Sequence, residues 1–286
     1  AATLTGLVGN TTYFLGTVSS SGSRTYFPLL FAVKEQIIIL VLAAAALAGF
    51  LFRVVKGKTP ISLYHRVRAW IANNLDLTAC MIVICVYWIV SLISPLNIGL
   101  RHVLPTFPFI YILISYGFIK FLAIRPFGEE RVWQGNTKRM LYAGIFFVGG
   151  IVAIRAYPYY LSYYNAFGGG TENGYRIAVD SNYDWGQDLK RLRAYMDEHG
   201  IEKIALDYFG GGSRDYYLPG RVDGWWSARG MPHGYFAISS TLREGALAVW
   251  DPALTPPKPE EAYSWLRGKE PIGRAGMSLF IYKFPE

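Results

Sequence analysis

The chain has 286 residues, of which 52% are hydrophobic and only 17% charged, a balance that argues against a disordered or wholly water-soluble protein. Its net charge of +8 would suit a nucleic-acid binder if it were evenly spread. Residues 1–155 carry 14 Lys and Arg against 4 Asp and Glu, a net +10, while residues 156–286 carry 14 against 16, a net −2. The polar half therefore lacks the basic face that nucleic acid needs, and no nucleic-acid partner is expected.

Residues 1–34 are read as an external segment, a loop rich in Gly, Ser and Thr up to residue 26. No initiator Met and no basic stretch precedes an apolar one, so the start does not read as a signal peptide but as the middle of a longer chain. Residues 35–156 are read as a transmembrane region of about four helices, from the apolar runs Ile37–Phe52, Leu77–Leu96, Val103–Ile119 and Met140–Ile154. A span takes about 20 mostly apolar residues; the second run meets this alone, the others with the Trp, Tyr, Lys and Arg at their ends. Cys80 and Cys85 lie in the second run, about 140° apart on a helix, and read as small packing residues.

The loops set an expected orientation. Arg53, Lys56, Lys58, Arg66 and Arg68 separate the first two runs, and Lys120, Arg125, Arg131, Lys138 and Arg139 the last two. Only Arg101 lies between the second and third. The basic loops are expected in the cytoplasm, and the N-terminal segment and residues 157–286 outside. Leu63, Val67, Trp70 and Ile71 share one helical face, which suggests a helix lying in the interface.

After Ile154 the pattern changes. Tyr157, Tyr159, Tyr160, Tyr163 and Tyr164 suit a membrane–water belt. Residues 157–286 are then read as a small extracytoplasmic α/β domain around a mostly parallel sheet. Its expected strands are Tyr175–Val179, Ile204–Phe209, Tyr235–Ser239 and Leu279–Lys283. Its expected helices are Trp185–His199, Arg214–Leu218 and Glu260–Leu266, with a stiff linker at Thr255–Pro259. Asp184 is placed as the N-cap of the first helix with Gln187 in capping-box position; Trp185, Leu189, Leu192 and Met196 form its apolar face and Gly200 its stop.

Two constellations could carry chemistry. In the loop Asn97–His102, Arg101 could grip a phosphate bidentately, with His102 as a second donor and Asn97 shaping the turn. Equally, Arg101 could snorkel to headgroups and His102 cap a helix. In the second, Asp180, Asn182, Asp184, Trp185, Gln187 and Asp188 suit contact with a sugar or another polar ligand, or a capped turn that serves the fold alone. The D-x-N-x-D opening resembles a calcium loop, but Trp185 stands in the Gly position and Arg191 in that of the bidentate Glu. Asp207 and Asp215 flank a Gly-rich turn, Phe209–Gly212, without P-loop spacing, and Trp225 and Trp226 could stack or pack. No His or Cys cluster has metal spacing, so no metal and no cofactor is expected.

Four segments resemble one family: Thr25-Tyr-Phe-Pro28, Leu96-Asn-Ile-Gly-Leu-Arg-His102, Tyr157-Pro-Tyr-Tyr-Leu-Ser-Tyr-Tyr-Asn165 and Asp180-Ser-Asn-Tyr-Asp-Trp-Gly-Gln-Asp-Leu-Lys190. In order and spacing they are similar to bacterial GT-C membrane glycosyltransferases of the protein-mannosyltransferase-like family 39. The resemblance runs from about Thr12 onward and implies an inner-membrane enzyme that takes sugar from a polyprenyl-phosphate carrier at the outer face. It implies an acidic residue serving as base on the first external loop of a preceding half, so this chain reads as the C-terminal half and no catalytic residue carries over. Arg101 and His102 sit where the carrier phosphate would be met. Membrane lipids, the lipid-linked sugar and other membrane subunits are the implied partners. The rival expectation is a non-catalytic, transferase-like subunit that serves assembly of a larger membrane complex.

Overall fold

The computed structural model describes residues 11–56, 63–122, 135–255 and 262–285. Lys58, Arg125 and Arg131, most of the Thr255–Pro259 linker, and Glu260 and Glu261 lie outside the described residues; the rest of the expected Glu260–Leu266 helix forms only a turn and the short 3-10 segment Ser264–Leu266. The chain forms two compact units. One gathers residues 1–34, 94–100 and 156–286; the other gathers 35–93 and 101–155.

Where a loop was expected at the start, Thr12–Phe14 (β1) and Thr17–Ser19 (β2) form a hairpin, followed by helix α1, Tyr26–Lys34. Leu15 and Gly16 make its turn, both with positive φ.

The second unit is helical: α2 (Ile37–Lys56), α3 (Leu63–Asn73), α4 (Leu75–Ile93), α5 (Phe107–Leu122) and α6 (Gly135–Ala156). Ser94-Pro95 stops α4, because the residue before a proline avoids helical backbone. Three segments, Leu75–Ile93, Leu104–Leu122 and Arg139–Ala156, are long and apolar enough to cross a membrane, or four if α1 and α2 count as one bent span. Phe146, Ile154 and Ile89 are all exposed, as are Val67 and Ile71 on α3. Apolar rows so open would be costly in water and suit a lipid environment. Helices α2 and α5 pack most closely: a Cβ added at Gly117 would stand 2.6 Å from the Ala46 Cβ, and one at Gly49 3.0 Å from the Phe121 Cβ. With lipid tails as apolar as the side chains, such close backbone approach is what holds helices together. Polar contacts add to it: Trp88 Nε1 donates to Thr106 Oγ1 at 3.1 Å, and Tyr111 OH to the buried Glu35 carboxylate at 2.7 Å.

The first unit is mixed α/β. Helix α7 (Leu189–Glu198) leads to β3 (Ile204–Asp207), a helical turn α8 (Arg214–Tyr217), β4 (Val222–Gly224), β5 (Gly234–Ser239), α9 (Ser240–Leu247), β6 (Val249–Trp250), β7 (Gly273–Ala275) and β8 (Leu279–Phe284). One sheet runs β4-β3-β5-β8-β7. Its β4, β3 and β5 are parallel, whereas β8 and β7 add antiparallel, so the sheet is half parallel rather than mostly so. A second sheet runs β1-β2-β6, in which Thr17 and Val18 pair with Val249 and Trp250.

Leu189, Leu192 and Met196 on α7 are buried against Ile204, Leu206, Ala237 and Ile281. Gly200 ends the helix at φ +64°, as its position implied. Strands β5 and β8 bury both faces, hence their continuous apolar runs; Phe236 meets Trp265 and Tyr263 at ring-centroid distances of 5.3 and 5.8 Å on the face opposite α7. The expected strand Tyr175–Val179 does not form. Ile177 and Ala178 donate their N–H groups back to Gly174 O, giving a turn, and Tyr175 packs edge-on against Phe280 at 5.0 Å. Tyr175, Ala178 and Val179 are buried by packing, while Ile177 is half-buried and its carbonyl accepts from Leu15 N–H at 2.9 Å.

Candidate functional site

The polar side chains that the sequence singles out fall in three places. The first is a knot around Asn182, which is 1% exposed. Its Nδ2 donates to Tyr26 OH (2.9 Å) and Val179 O (3.1 Å), its Oδ1 accepts from Leu100 N–H (2.9 Å), and its carbonyl accepts from Lys34 Nζ (2.5 Å). Lys34, at the last position of α1, also donates to Leu161 O at 2.9 Å and lies 4.4 Å from the centre of the Tyr164 ring. Its Nζ thus lies among two carbonyl oxygens and a ring face. Ser181 Oγ donates to Ile98 O at 2.7 Å and Ser162 Oγ to Tyr183 O at 2.7 Å. Asn165 Nδ2 donates to Ala32 O at 2.8 Å, while its Oδ1 accepts from Phe167 N–H. Asp180 makes the sharp entry to this turn with φ +54°, a left-handed conformation that short polar residues tolerate, and its Oδ1 accepts from Ser181 N–H at 2.6 Å.

The second place follows directly. Helix α7 begins at Leu189, not at Trp185, and Asp184 is not its N-cap. Asp184 caps a different helix. Its Oδ2 accepts from Ser240 Oγ (3.3 Å) and Thr241 N–H (3.4 Å) in the first turn of α9, and its Oδ1 from Gly186 N–H (3.1 Å). Ser239, the positional N-cap of α9, spends its own hydroxyl on Phe209 N–H, which leaves the donor to Asp184. Burial pushes the Asp184 carboxyl up to about 6, against the pull of these donors. Asp188, fully buried, pairs with Arg191 and accepts from Met277 N–H (3.0 Å), Ser278 N–H (2.9 Å) and Ser278 Oγ (3.0 Å) at the β7–β8 turn. Gln187 folds onto its own turn, accepting from Trp185 N–H at 2.8 Å and donating to Tyr183 O at 3.0 Å. The set Asp180, Asn182, Asp184, Gln187 and Asp188 thus turns inward and ties the unit together. Trp185 alone of the group faces outward.

The tyrosine belt divides in the same way. Tyr157 and Tyr160 are exposed and in contact, with ring centroids 6.2 Å apart, whereas Tyr164 is core, its hydroxyl donating to Ala178 O at 3.0 Å.

The third place is the loop Asn97–His102. Asn97 is buried: its Oδ1 accepts from Ser23 N–H, its carbonyl accepts from Thr12 Oγ1 at 3.0 Å, and its Nδ2 has no partner among the described residues. Arg101 and His102 belong to the helical unit, on the turn Leu100–His102. Arg101 is exposed and His102 half-buried. Burial, then the neighbouring Arg101 charge, lowers the His102 pKa.

At the carboxyl ends of β3 and β5, Asp207 accepts from Tyr263 OH, and burial raises its pKa. The glycine turn beside it has a packing reason. A Cβ on Gly210, at φ +145°, would stand 2.6 Å from Gly186 Cα, so the two loops touch backbone to backbone. Trp225 donates from Nε1 to Gly230 O at 2.9 Å and carries the Arg229 guanidinium 4.1 Å from its ring centre. Among the described residues no group of three or more His, Cys, Asp or Glu could hold a metal.

Tyr26, Ser162 and Asn165 lie in segments that carry the resemblance but were given no role of their own, and Lys34 was not singled out from sequence. Lys34 had a readable signal, a lone cation ending an apolar stretch that runs from Tyr26. No protein-family model, curated protein or solved structure matches the chain.

Proposed function

We propose that this chain is part of an inner-membrane glycosyltransferase that takes sugar from a polyprenyl-phosphate carrier, with the α/β unit outside. One observation supports the reading beyond the resemblance itself. The four segments that carry the resemblance lie far apart in sequence, yet residues from each meet in one hydrogen-bonded knot: Tyr26, Ile98 and Leu100, Leu161 and Ser162, and Ser181 to Tyr183. A set of motifs kept together in space is what a shared architecture of that family would require.

In this reading the exposed Arg101 guanidinium grips the carrier phosphate and His102 offers a second N–H, so the phosphate leaves as the acceptor oxygen attacks the anomeric carbon. The base that takes the acceptor proton is not assigned to any residue here. Replacing Arg101 by Lys keeps the charge but removes the planar fork. Loss of one charge-assisted hydrogen bond, about 1.5–3 kcal/mol, lowers affinity on the order of ten- to a hundredfold. Calorimetric titration of wild type and Arg101→Lys with a short-chain prenyl monophosphate tests this. Equal affinities would reduce Arg101 to a headgroup contact.

A second reading has its own support. Asp184, Asn182 and Asp188 are spent on internal hydrogen bonds, as suits a non-catalytic subunit with an assembly role. Absence of any prenyl-phosphate binding by the wild type would favour it.

A further inference from the structure

The short segment Ser94–Leu100 belongs to the α/β unit, although it follows one apolar helix and leads into another. Its backbone is held at three of four successive positions. Asn97 O accepts from Thr12 Oγ1 at 3.0 Å, Ile98 O from Ser181 Oγ at 2.7 Å, and Leu100 N–H donates to Asn182 Oδ1 at 2.9 Å. Between them Gly99 stands at φ +135°, where a side chain would be strained, so the segment is bent into this path rather than lying along it freely. Asn97 adds a side-chain anchor, its Oδ1 accepting from Ser23 N–H.

The two residues that hold Ile98 and Leu100 are themselves fixed. Asn182 is buried and makes three further bonds, from its amide to Tyr26 OH and Val179 O and to its carbonyl from Lys34 Nζ. Ser181 N–H is tied to the Asp180 carboxylate, and Asp180 N–H donates to Thr241 Oγ1 at 3.0 Å. The clamp is therefore rigid on the side that does the holding. The next residues of the chain are Arg101 and His102.

We infer that Ser181 and Asn182 are positioning residues for carrier-phosphate binding: their two hydrogen bonds fix the backbone at Ile98 and Leu100 from which Arg101 and His102 are presented. This rests on the carrier-phosphate reading of that loop. A guanidinium grips a phosphate more tightly when its backbone anchor is already set, since each added degree of freedom must be frozen on binding. The most conspicuous polar motif of the sequence would then serve the loop without meeting substrate.

The test uses the full chain in detergent and a prenyl monophosphate of three isoprene units, titrated calorimetrically, with amide exchange at Leu100 followed in parallel. Asn182→Ala removes the acceptor for Leu100, and Ser181→Ala removes the single donor to Ile98 with little disturbance of the core. Tyr26→Phe is the control: it removes a partner of the same Asn182 amide but leaves the Leu100 bond. Asn182→Ala is expected to speed Leu100 exchange and weaken binding on the order of tenfold, Ser181→Ala to weaken it several-fold, and Tyr26→Phe to leave it unchanged. If Asn182→Ala does not fold, the comparison of Ser181→Ala with Tyr26→Phe decides alone. Unchanged binding in both clamp variants, with Leu100 exchange accelerated, overturns the inference and leaves the phosphate reading standing. Equal weakening by Tyr26→Phe overturns it in favour of a general packing role. No binding by the wild type removes the phosphate reading, and the inference with it.

Discussion

The buried carboxyl of Asp184 gives a stability signal with a definite sign. Its pKa is raised from 3.8 to about 6, chiefly by burial, with the N–H groups of Gly186 and Thr241 opposing. A raised folded value means that the native state holds the proton more tightly than the unfolded chain does. The contribution to stability is full below about pH 4 and is lost as pH rises through about 6. A shift of about two units corresponds to about 3 kcal/mol across that window. Asp184→Asn cannot titrate, so the difference between wild type and variant isolates this group from every other carboxylate. Unfolding of the full chain in detergent, followed by tryptophan fluorescence at pH 4, 5, 6 and 7, should show the wild type losing about 3 kcal/mol relative to the variant as pH rises. A constant difference, or one that grows in favour of the wild type, would refute the reasoning. It would mean that the donors around Asp184 stabilise the carboxylate at least as much as burial penalises it.

Two further outcomes follow from packing and from charge. Gly117→Leu should push α2 and α5 apart and lower thermal stability in detergent by about 1–3 kcal/mol, whereas Gly144→Leu, whose added Cβ meets nothing within 4 Å, should be close to neutral; similar losses in both would show that the α2–α5 contact is not special. The loop charges predict that a cysteine at position 185, where Trp185 is exposed, is labelled by an impermeant reagent in intact cells while cysteines at positions 56 and 138 are not. Labelling of position 56 would reverse the orientation.

How much of this was legible depended on how local the physics was. The apolar helices could be read because burial in lipid constrains composition along a single segment. Helix α7 could be read because Leu189, Leu192 and Met196 recur at helical spacing and Gly200 supplies the left-handed stop. Strands β3, β5 and β8 announced themselves as apolar runs. Strands β4 and β7 did not, since Val-Asp-Gly and Gly-Arg-Ala carry no alternation; they exist only because β3 and β8 offer free ladder edges. Asp184 is the sharper case. Its residue type and its company, Gln187 three positions on, were those of an N-cap, and capping is what it does. The helix it caps starts 56 residues later. Sequence spacing can state that a carboxylate is fit to accept backbone N–H groups, but it cannot state whose. The same holds for Asn182, whose partners Tyr26 and Leu100 lie 156 and 82 residues away. Buried polar groups must be paired, and when the pairs are this distant each one closes a long loop. A motif made of such residues is therefore a statement about tertiary structure. Its density of Asp and Asn invites a ligand reading, yet the burial of Asn182, Asp184 and Asp188 leaves solvent to Trp185 and hands the ligand question to the loop that Ser181 and Asn182 hold.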